Sequence, residues 1–178
     1  MPSQGERTNA ELTIRPIAPS DLAWVRAELH RNWDGTEISS LGLWHDADRL
    51  PGFVALLPDH ADPVGLATHT HPINGGECEV ITLSSRLEDR GIATALLQAC
   101  SNHARAAGCR RIFLTTTNDN LRALGFYQKR GWSLVAIHRG AMDAARLVKP
   151  TIPLIGMNGI PLHDEIELEL RLDARKSP

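Results

Sequence analysis

The stretch from Leu83 to Cys100, LSSRLEDRGIATALLQAC, changes character partway along. Before it, Cys78 to Leu83 is rich in apolar and β-branched residues. After its glycine, Ala93, Leu96, Leu97, Cys100, Ala104 and Ala107 recur at helical spacing. The pattern predicts a strand, a tight turn at Asp89-Arg90-Gly91, and a helix. A glycine at such a turn lets the backbone fold sharply and present successive N–H groups at the mouth of the helix, where unpaired donors and the helix dipole attract anions. The same pattern also fits an ordinary strand-to-helix connection, so a second stretch is needed to decide.

That stretch is Asn120 to Trp132, NLRALGFYQKRGW. An Arg-Gly-x-Ala turn followed by Asn-x-x-Ala-x-x-Phe-Tyr-x-x-x-Gly-aromatic resembles motifs A and B of the GNAT acyl-CoA N-acyltransferases, in the family's order and spacing. The resemblance covers Val80 to Ile137 well and the flanking strand pattern more loosely. It implies a mixed α/β domain with a central, mostly antiparallel twisted sheet of about six or seven strands flanked by about four helices.

The resemblance also implies a chemistry: transfer of an acetyl group from acetyl-CoA to a primary amine of a small molecule or peptide, by direct attack in a ternary complex. Backbone N–H groups of Arg90, Gly91, Ile92, Ala93 and Thr94 would hold the coenzyme pyrophosphate. In the family, two strands part just after the equivalent of Val80 to Leu83, and main chain about Ile81 and Leu83 would pair with the pantetheine arm like an added strand. A backbone N–H near Leu83 would then polarise the thioester carbonyl. Tyr127, the only tyrosine, stands where the family commonly places a general acid; its other reading is a core aromatic. A departing thiol has a pKa of about 8.5 and a phenol about 10, values close enough for the phenol to serve as donor although the transfer is not strongly downhill. Asn120 is either a coenzyme contact or a plain helix cap. Glu88 departs from the family, which usually has Gln or Arg there. Its charge beside a pyrophosphate requires that it point away or pair with Arg86 or Arg90.

An alkylamine is mostly protonated near neutral pH and needs a base before it can attack. Glu79, acting directly or through water, is the first candidate, with Glu77 or His138 behind it. Glu77 and Glu79 share one face of their strand, while Cys78 and Val80 take the other. A strand carboxylate can equally be a solvated surface group. The competing function class is a non-catalytic acyl-CoA-binding sensor or interaction domain that keeps the cradle but lacks base and acceptor pocket. A dinucleotide-binding oxidoreductase is disfavoured, because Gly91-Ile92-Ala93 does not extend to Gly-x-Gly-x-x-Gly.

Composition agrees with one domain: 178 residues, 42% hydrophobic and 22% charged. A formal net charge of -2 gives no basic footprint for nucleic acid. Cys78, Cys100 and Cys109 form no Cys-x-x-Cys pair and read as reduced, buried thiols. The polar N-terminus and the lack of any run of about 18 apolar residues predict a soluble cytoplasmic protein without membrane contact.

Taken in order, residues 1–9 read as a disordered lead, 10–172 as the acyltransferase domain and 173–178 as a tail. Leu12, Ile14 and Ile17 suggest a first strand, and Ser20 or Asp21 caps a helix that fades near Trp33-Asp34-Gly35. Thr36 to Asp48 reads as irregular. By the resemblance this region borders the acceptor pocket, which makes Trp33, Thr36 and Trp44 the candidate substrate-selecting residues; the tryptophans can also simply bury apolar area. Phe53 to Leu57 and Val64 to Thr70 read as a hairpin. His69 and His71 share a strand side but have no further ligand at a recognisable interval, so no metal is expected. Arg111 to Thr117, Trp132 to His138 and Glu165 to Leu172 read as strands, the last with one face buried and the other wet. Between the last two, Arg139 to Asp164 holds a short helix, Met142 to Val148, and a long loop. We expect that loop to wall the acceptor site or join a homodimer contact.

Overall fold

A computed structural model describes residues 11–173. The predicted lead over residues 1–9 lies outside them, as does the tail beyond Asp173. The strand expected from the apolar run before Gly91 is the longest of the fold, β6 (Glu77–Ser85), the fourth of seven in the main sheet. The elements before it are β1 (Thr13–Pro16), α1 (Leu22–Trp33), a small pair β2 (Glu37–Ser40) and β3 (Leu43–Asp46), then β4 (Gly52–Leu56) and β5 (Gly65–His69). After it come α2 (Ile92–Ala106), β7 (Arg111–Thr117), α3 (Leu121–Gln128), β8 (Ser133–His138), α4 (Ala141–Val148) and β9 (Glu165–Arg171). The main sheet runs β1-β4-β5-β6-β7-β9-β8. Its pairings are antiparallel except β6 with β7, the parallel step that α2 crosses over.

Alternation along the strands sorts the core into two layers. On one face Cys78, Val80, Ile112, Leu114 and Leu168 meet α2 through Ile92, Leu96, Leu97, Cys100 and Ala104, and meet α3 through Tyr127. Burying a side chain such as Leu96 contributes about 1.5–3 kcal/mol. The first turn of α2 comes so close to β5 that a Cβ on Gly65 would lie 2.6 Å from Ile92 Cγ2, so a small residue there sets the depth of the helix mouth. On the other face α1 packs Val25 and Leu29 against Val54 and Leu66, with Ile38 of β2 beside them.

Three expectations are corrected. Thr36 to Asp48 is not irregular, because it contains the β2–β3 hairpin. Its turn residues Leu41 and Gly42 both have positive φ, at 51° and 75°, the conformation that matches the twist of a two-residue hairpin. Asp21 stands at the start of α1 but makes no side-chain cap. Its carboxylate instead accepts from the Ala18 N–H at 2.7 Å and from Arg15 at 2.6 and 2.9 Å. The acidic face of β9 is also not wet: Glu165 and Glu167 are buried, since β9 lies inside the sheet and other groups cover its polar side.

Candidate active site

The β6–β7 ladder ends at Val80 and Leu114, although β6 continues to Ser85 and β7 to Thr117. A bulge in the β5–β6 register leaves Ile81 out of the pairing, between Val80 opposite His69 and Thr82 opposite Thr68. Bulges bend a strand and increase its twist, which accounts for the two strands parting here. On the β7 side, the continuing main chain of β6 has lost its ladder partner.

Two depressions flank this opening. One is a groove of about 320 Å³ lined by Leu83, Gly91, Ile92, Ala93, Thr94, Asn120 and Tyr127, among others. Gly91, at φ 71°, is the residue before α2 and has no side-chain cap. The first helical bond runs from the Ala95 N–H to the Gly91 carbonyl at 2.9 Å, so the N–H groups of residues 91–94 precede the ladder and face outward. A Cβ on Gly91 would meet no protein atom within 4 Å, so the space in front of these donors is open. Arg122 and Arg130 also line the groove. Glu88 pairs with neither Arg86 nor Arg90: Arg122 on α3 donates to it at 2.6 Å. That guanidinium holds Glu88 below the usual carboxylate range and offsets its charge. Arg130 stacks 3.7 Å above the Phe126 ring and donates to Thr94 Oγ1 at 2.8 Å. Open N–H groups at a helix start, flanked by two guanidinium groups, fit a pyrophosphate. Arg90 itself is not among the groove-lining residues.

Helix α3 carries the far wall. Asn120 caps it by accepting from the Ala123 N–H at 3.1 Å, and Asn120, Ala123 and Tyr127 repeat along one face. Tyr127 is buried between Phe126 and Trp132, with ring centroids at 5.3 and 5.8 Å. Burial pushes its phenol well above the ordinary value, so it is protonated at every physiological pH.

The second depression is a cavity of about 570 Å³ on the α1 side of the sheet. Its floor is Ile81, Thr115, Thr116, Thr117 and Glu165; its walls include Trp33, Ser40, Trp44, Met142 and Ile152. Asn120 lines both depressions, which therefore adjoin across it, beside the opening between β6 and β7. Thr36 is not among the lining residues; its carbonyl accepts from the Ala47 N–H at 2.9 Å and closes the base of the hairpin. Lys149, at the end of α4, donates to the carbonyls of Trp33 at 2.7 Å and Asp34 at 2.9 Å, tying one wall to the C-terminus of α1.

The long segment after α4 contributes Thr151, Ile152 and Pro153 to the cavity. It is tied down throughout: Asp119 accepts from the Met157 N–H at 2.6 Å, and Asn118 accepts from the N–H groups of His163 and Asp164 at 3.0 Å each.

Glu79 is 7% exposed and lies one hydroxyl behind the cavity. Ser40, which lines the cavity, donates to Glu79 Oε1 and lies 2.8 Å from Thr115 Oγ1. Burial, reinforced by the neighbouring Glu165, Glu167 and Glu77, outweighs the Ser40 hydrogen bond and raises the Glu79 carboxyl to about 7. Burial also raises Glu165, which accepts from the Leu41 N–H at 3.0 Å. The other base candidates are committed elsewhere. Glu77 accepts from Arg111 at 2.7 Å, and His138 Nε2 lies 2.9 Å from Glu167. Sequence reasoning does not reach Ser40, Thr115 or Glu165.

His69 is buried, with Nδ1 2.8 Å from the Thr70 carbonyl and 3.7 Å from Cys78 Sγ, while His71 is exposed. The three cysteines are free and buried, and burial pushes the Cys78 thiol up to about 12. Among the described residues no helix is long and apolar enough to cross a membrane, and no cluster of three potential metal ligands occurs.

The sequence model of the acetyltransferase (GNAT) family matches residues 14–132. The chain belongs to that family. It is 43% identical over 137 residues to the uncharacterized protein YdhI of Bacillus subtilis (strain 168), covering 76% of this chain and 83% of that protein. It is 39% identical over 150 residues to YxbD of the same organism, also uncharacterized, covering 84% and 91%. Among solved structures, the IAA acetyltransferase from Bacillus cereus ATCC 14579 superposes with a TM-score of 0.64 at 20% identity, over 90% of this chain and 99% of that one. Arabidopsis thaliana NAA60 in complex with acetyl-CoA superposes with a TM-score of 0.66 at 17% identity, over 92% and 100%. At these identities the structural matches establish the GNAT fold.

Proposed function

We propose that the chain is an N-acetyltransferase that moves an acetyl group from acetyl-CoA to a primary amine of a small molecule or peptide. The observation that carries this reading is that groove and cavity adjoin, sharing Asn120 as a wall, beside the V where β6 and β7 separate. A donor on one side and an acceptor on the other could react there directly, without a covalent enzyme intermediate. The solved structure of a GNAT acetyltransferase from Elizabethkingia anophelis, 20% identical, has acetyl-CoA bound, which supports the choice of donor. When bound, acetyl-CoA supplies the activated acetyl group. The chain's own residues do the rest.

The N–H groups of Gly91 to Thr94 bind the pyrophosphate, and the freed main chain about Ile81 and Leu83 aligns the pantetheine arm, with an N–H near Leu83 donating to the thioester carbonyl oxygen. Glu79 is the general base. A carboxyl held at about 7 is ionised in a useful fraction near neutral pH and is more basic than an ordinary glutamate. Tyr127 offers its hydroxyl as a hydrogen-bond donor to the departing sulfur. Its raised pKa makes complete transfer to a free thiolate uphill, so the phenol acts by hydrogen bonding as charge builds on sulfur. All three cysteines are buried, and burial raises the thiols of Cys78 and Cys100, which suits them poorly to act as nucleophiles, in keeping with direct attack.

The sensor alternative requires a cradle without base or acceptor pocket. Both a cavity and a buried carboxyl near it are present, and they favour the enzyme. The test is thiol release from acetyl-CoA across arylalkylamines, polyamines and short peptides with free N-termini. Turnover on at least one class is expected, whereas tight coenzyme binding without turnover on any would return the chain to the sensor class.

A further inference from the structure

The base assigned above does not itself line the acceptor cavity, and Ser40 stands between the two. We infer that the Ser40 hydroxyl is a proton relay, taking the proton from the acceptor ammonium while passing its own to Glu79. This rests on the reading of Glu79 as general base.

Three features of the hairpin carry the inference. Ser40 is the last residue of β2, and its hydroxyl donates to Glu79 Oε1 on β6 and lies 2.8 Å from Thr115 Oγ1 on β7, so it is held from both sides of the V. The next residue, Leu41, is a non-glycine residue at φ 51°, and its N–H donates to Glu165 Oε2. A bulky side chain in the left-handed region costs roughly 1–2 kcal/mol, and this turn spends that strain in laying its tip across two buried carboxylates. Ser40 is also 3% exposed yet among the cavity-lining residues, so an acceptor nitrogen on the floor reaches its oxygen before it reaches Glu79.

The step balances. One N–H bond of the ammonium breaks as an O–H bond forms on Ser40, while the original Ser40 O–H breaks as one forms on Glu79. Ammonium and carboxylate become amine and carboxylic acid, and the serine is unchanged. The groups that set the charge around Glu79 are Glu77 on its own strand, Glu165 and Glu167 on β9, and Arg111 on β7, which bonds Glu77 at 2.7 Å, Glu167 at 2.8 Å and Glu169 at 2.9 Å. His138 on β8 faces Glu167 from the edge of the sheet. These remain when Ser40 is replaced, so a change in the pH profile reports on Ser40 itself.

The test uses the full chain, acetyl-CoA and whichever amine of the panel gives turnover. Ser40→Ala is expected to lower kcat about 10²-fold, with KM for acetyl-CoA unchanged. Because Ser40 donates to the ionised carboxylate, its loss should move the acid limb of the rate profile to higher pH. Ser40→Thr, which keeps a hydroxyl, should restore kcat to within about tenfold of the parent and return the limb. A serine that only hydrogen-bonds Glu79 would on replacement move the limb and leave plateau kcat and the solvent isotope effect unchanged. Should Ser40→Ala not fold, Ser40→Gly, which likewise lacks a hydroxyl, carries the same test. Wild-type plateau kcat in Ser40→Ala or Ser40→Gly, with or without a shift of the limb, would overturn the relay while leaving Glu79 as base. A wild-type chain that acetylates no amine would remove both.

Discussion

Replacing Glu79 by glutamine should make the protein more stable and less active at once. In the folded chain the Glu79 carboxyl is pushed up to about 7 from an ordinary value of 4.5, chiefly because burial disfavours its charged form. Between those two pH values the folded chain holds a proton that the unfolded chain has released, so stability falls as pH rises through the window. A tenfold change in a protonation equilibrium is worth about 1.36 kcal/mol, which puts the cost of ionising Glu79 in place at about 3 kcal/mol once pH exceeds 7. Glutamine is neutral throughout, and its side-chain carbonyl still accepts from Ser40. Glu79→Gln should therefore match the parent at pH 4.5 and exceed it by up to about 3 kcal/mol at pH 8, a rise in Tm of roughly 6–12 °C for a chain of this size. Glu165, also raised by burial, gives both proteins some of the same slope, and only the difference between the curves belongs to Glu79. Thermal unfolding followed by circular dichroism across pH 4.5 to 8 measures it. In the transfer assay kcat should drop about 10²- to 10⁴-fold and lose its acid limb. Equal or lower stability of Glu79→Gln at pH 8 would refute the claim that the carboxylate is held at a cost.

Further outcomes follow from the same geometry. Tyr127→Phe keeps the ring among Phe126 and Trp132 and should bind acetyl-CoA nearly as tightly, with kcat reduced about 10²-fold in single-turnover kinetics. Arg111→Leu leaves Glu77, Glu167 and Glu169 facing one another without their shared cation and should cost about 3 kcal/mol in urea unfolding; the loss should shrink at pH 4, where the carboxylates protonate. Gly65→Ala drives a methyl into Ile92 Cγ2 and should cost about 1–3 kcal/mol by the same measurement, with weaker coenzyme binding because the mouth of α2 is displaced.

Much of this arrangement is legible in the sequence because it is local. The strand, turn and helix around Gly91 follow from period and from one glycine, and the cap at Asn120 is a side chain bonding three residues away. The β2–β3 hairpin escapes because its strands are four residues each, too short for alternation to register, and its turn opens with a leucine where glycine or asparagine would have signalled it. Ser40 then goes unnoticed, since its partners are 39 and 75 residues distant. The acidic face of β9 reads as wet because charge ordinarily marks the solvent side. Arg111, placed on the neighbouring strand, and the Leu41 N–H supply partners that alternation alone does not reveal. Glu88 shows the same limit on a smaller scale: its cation comes from α3, 34 residues on, rather than from the arginines beside it.

The most direct test of the central claim, that this fold offers acetyl-CoA a cradle at the mouth of α2, is a calorimetric titration of the full chain with acetyl-CoA beside Gly91→Glu. The substitution strains a residue at φ 71° and sets a carboxylate in the open space before the N–H groups of residues 91–94. Micromolar binding by the parent that is lost in a folded Gly91→Glu variant is the predicted result. No heat of binding in the parent, or equal affinity in the two proteins, would contradict it.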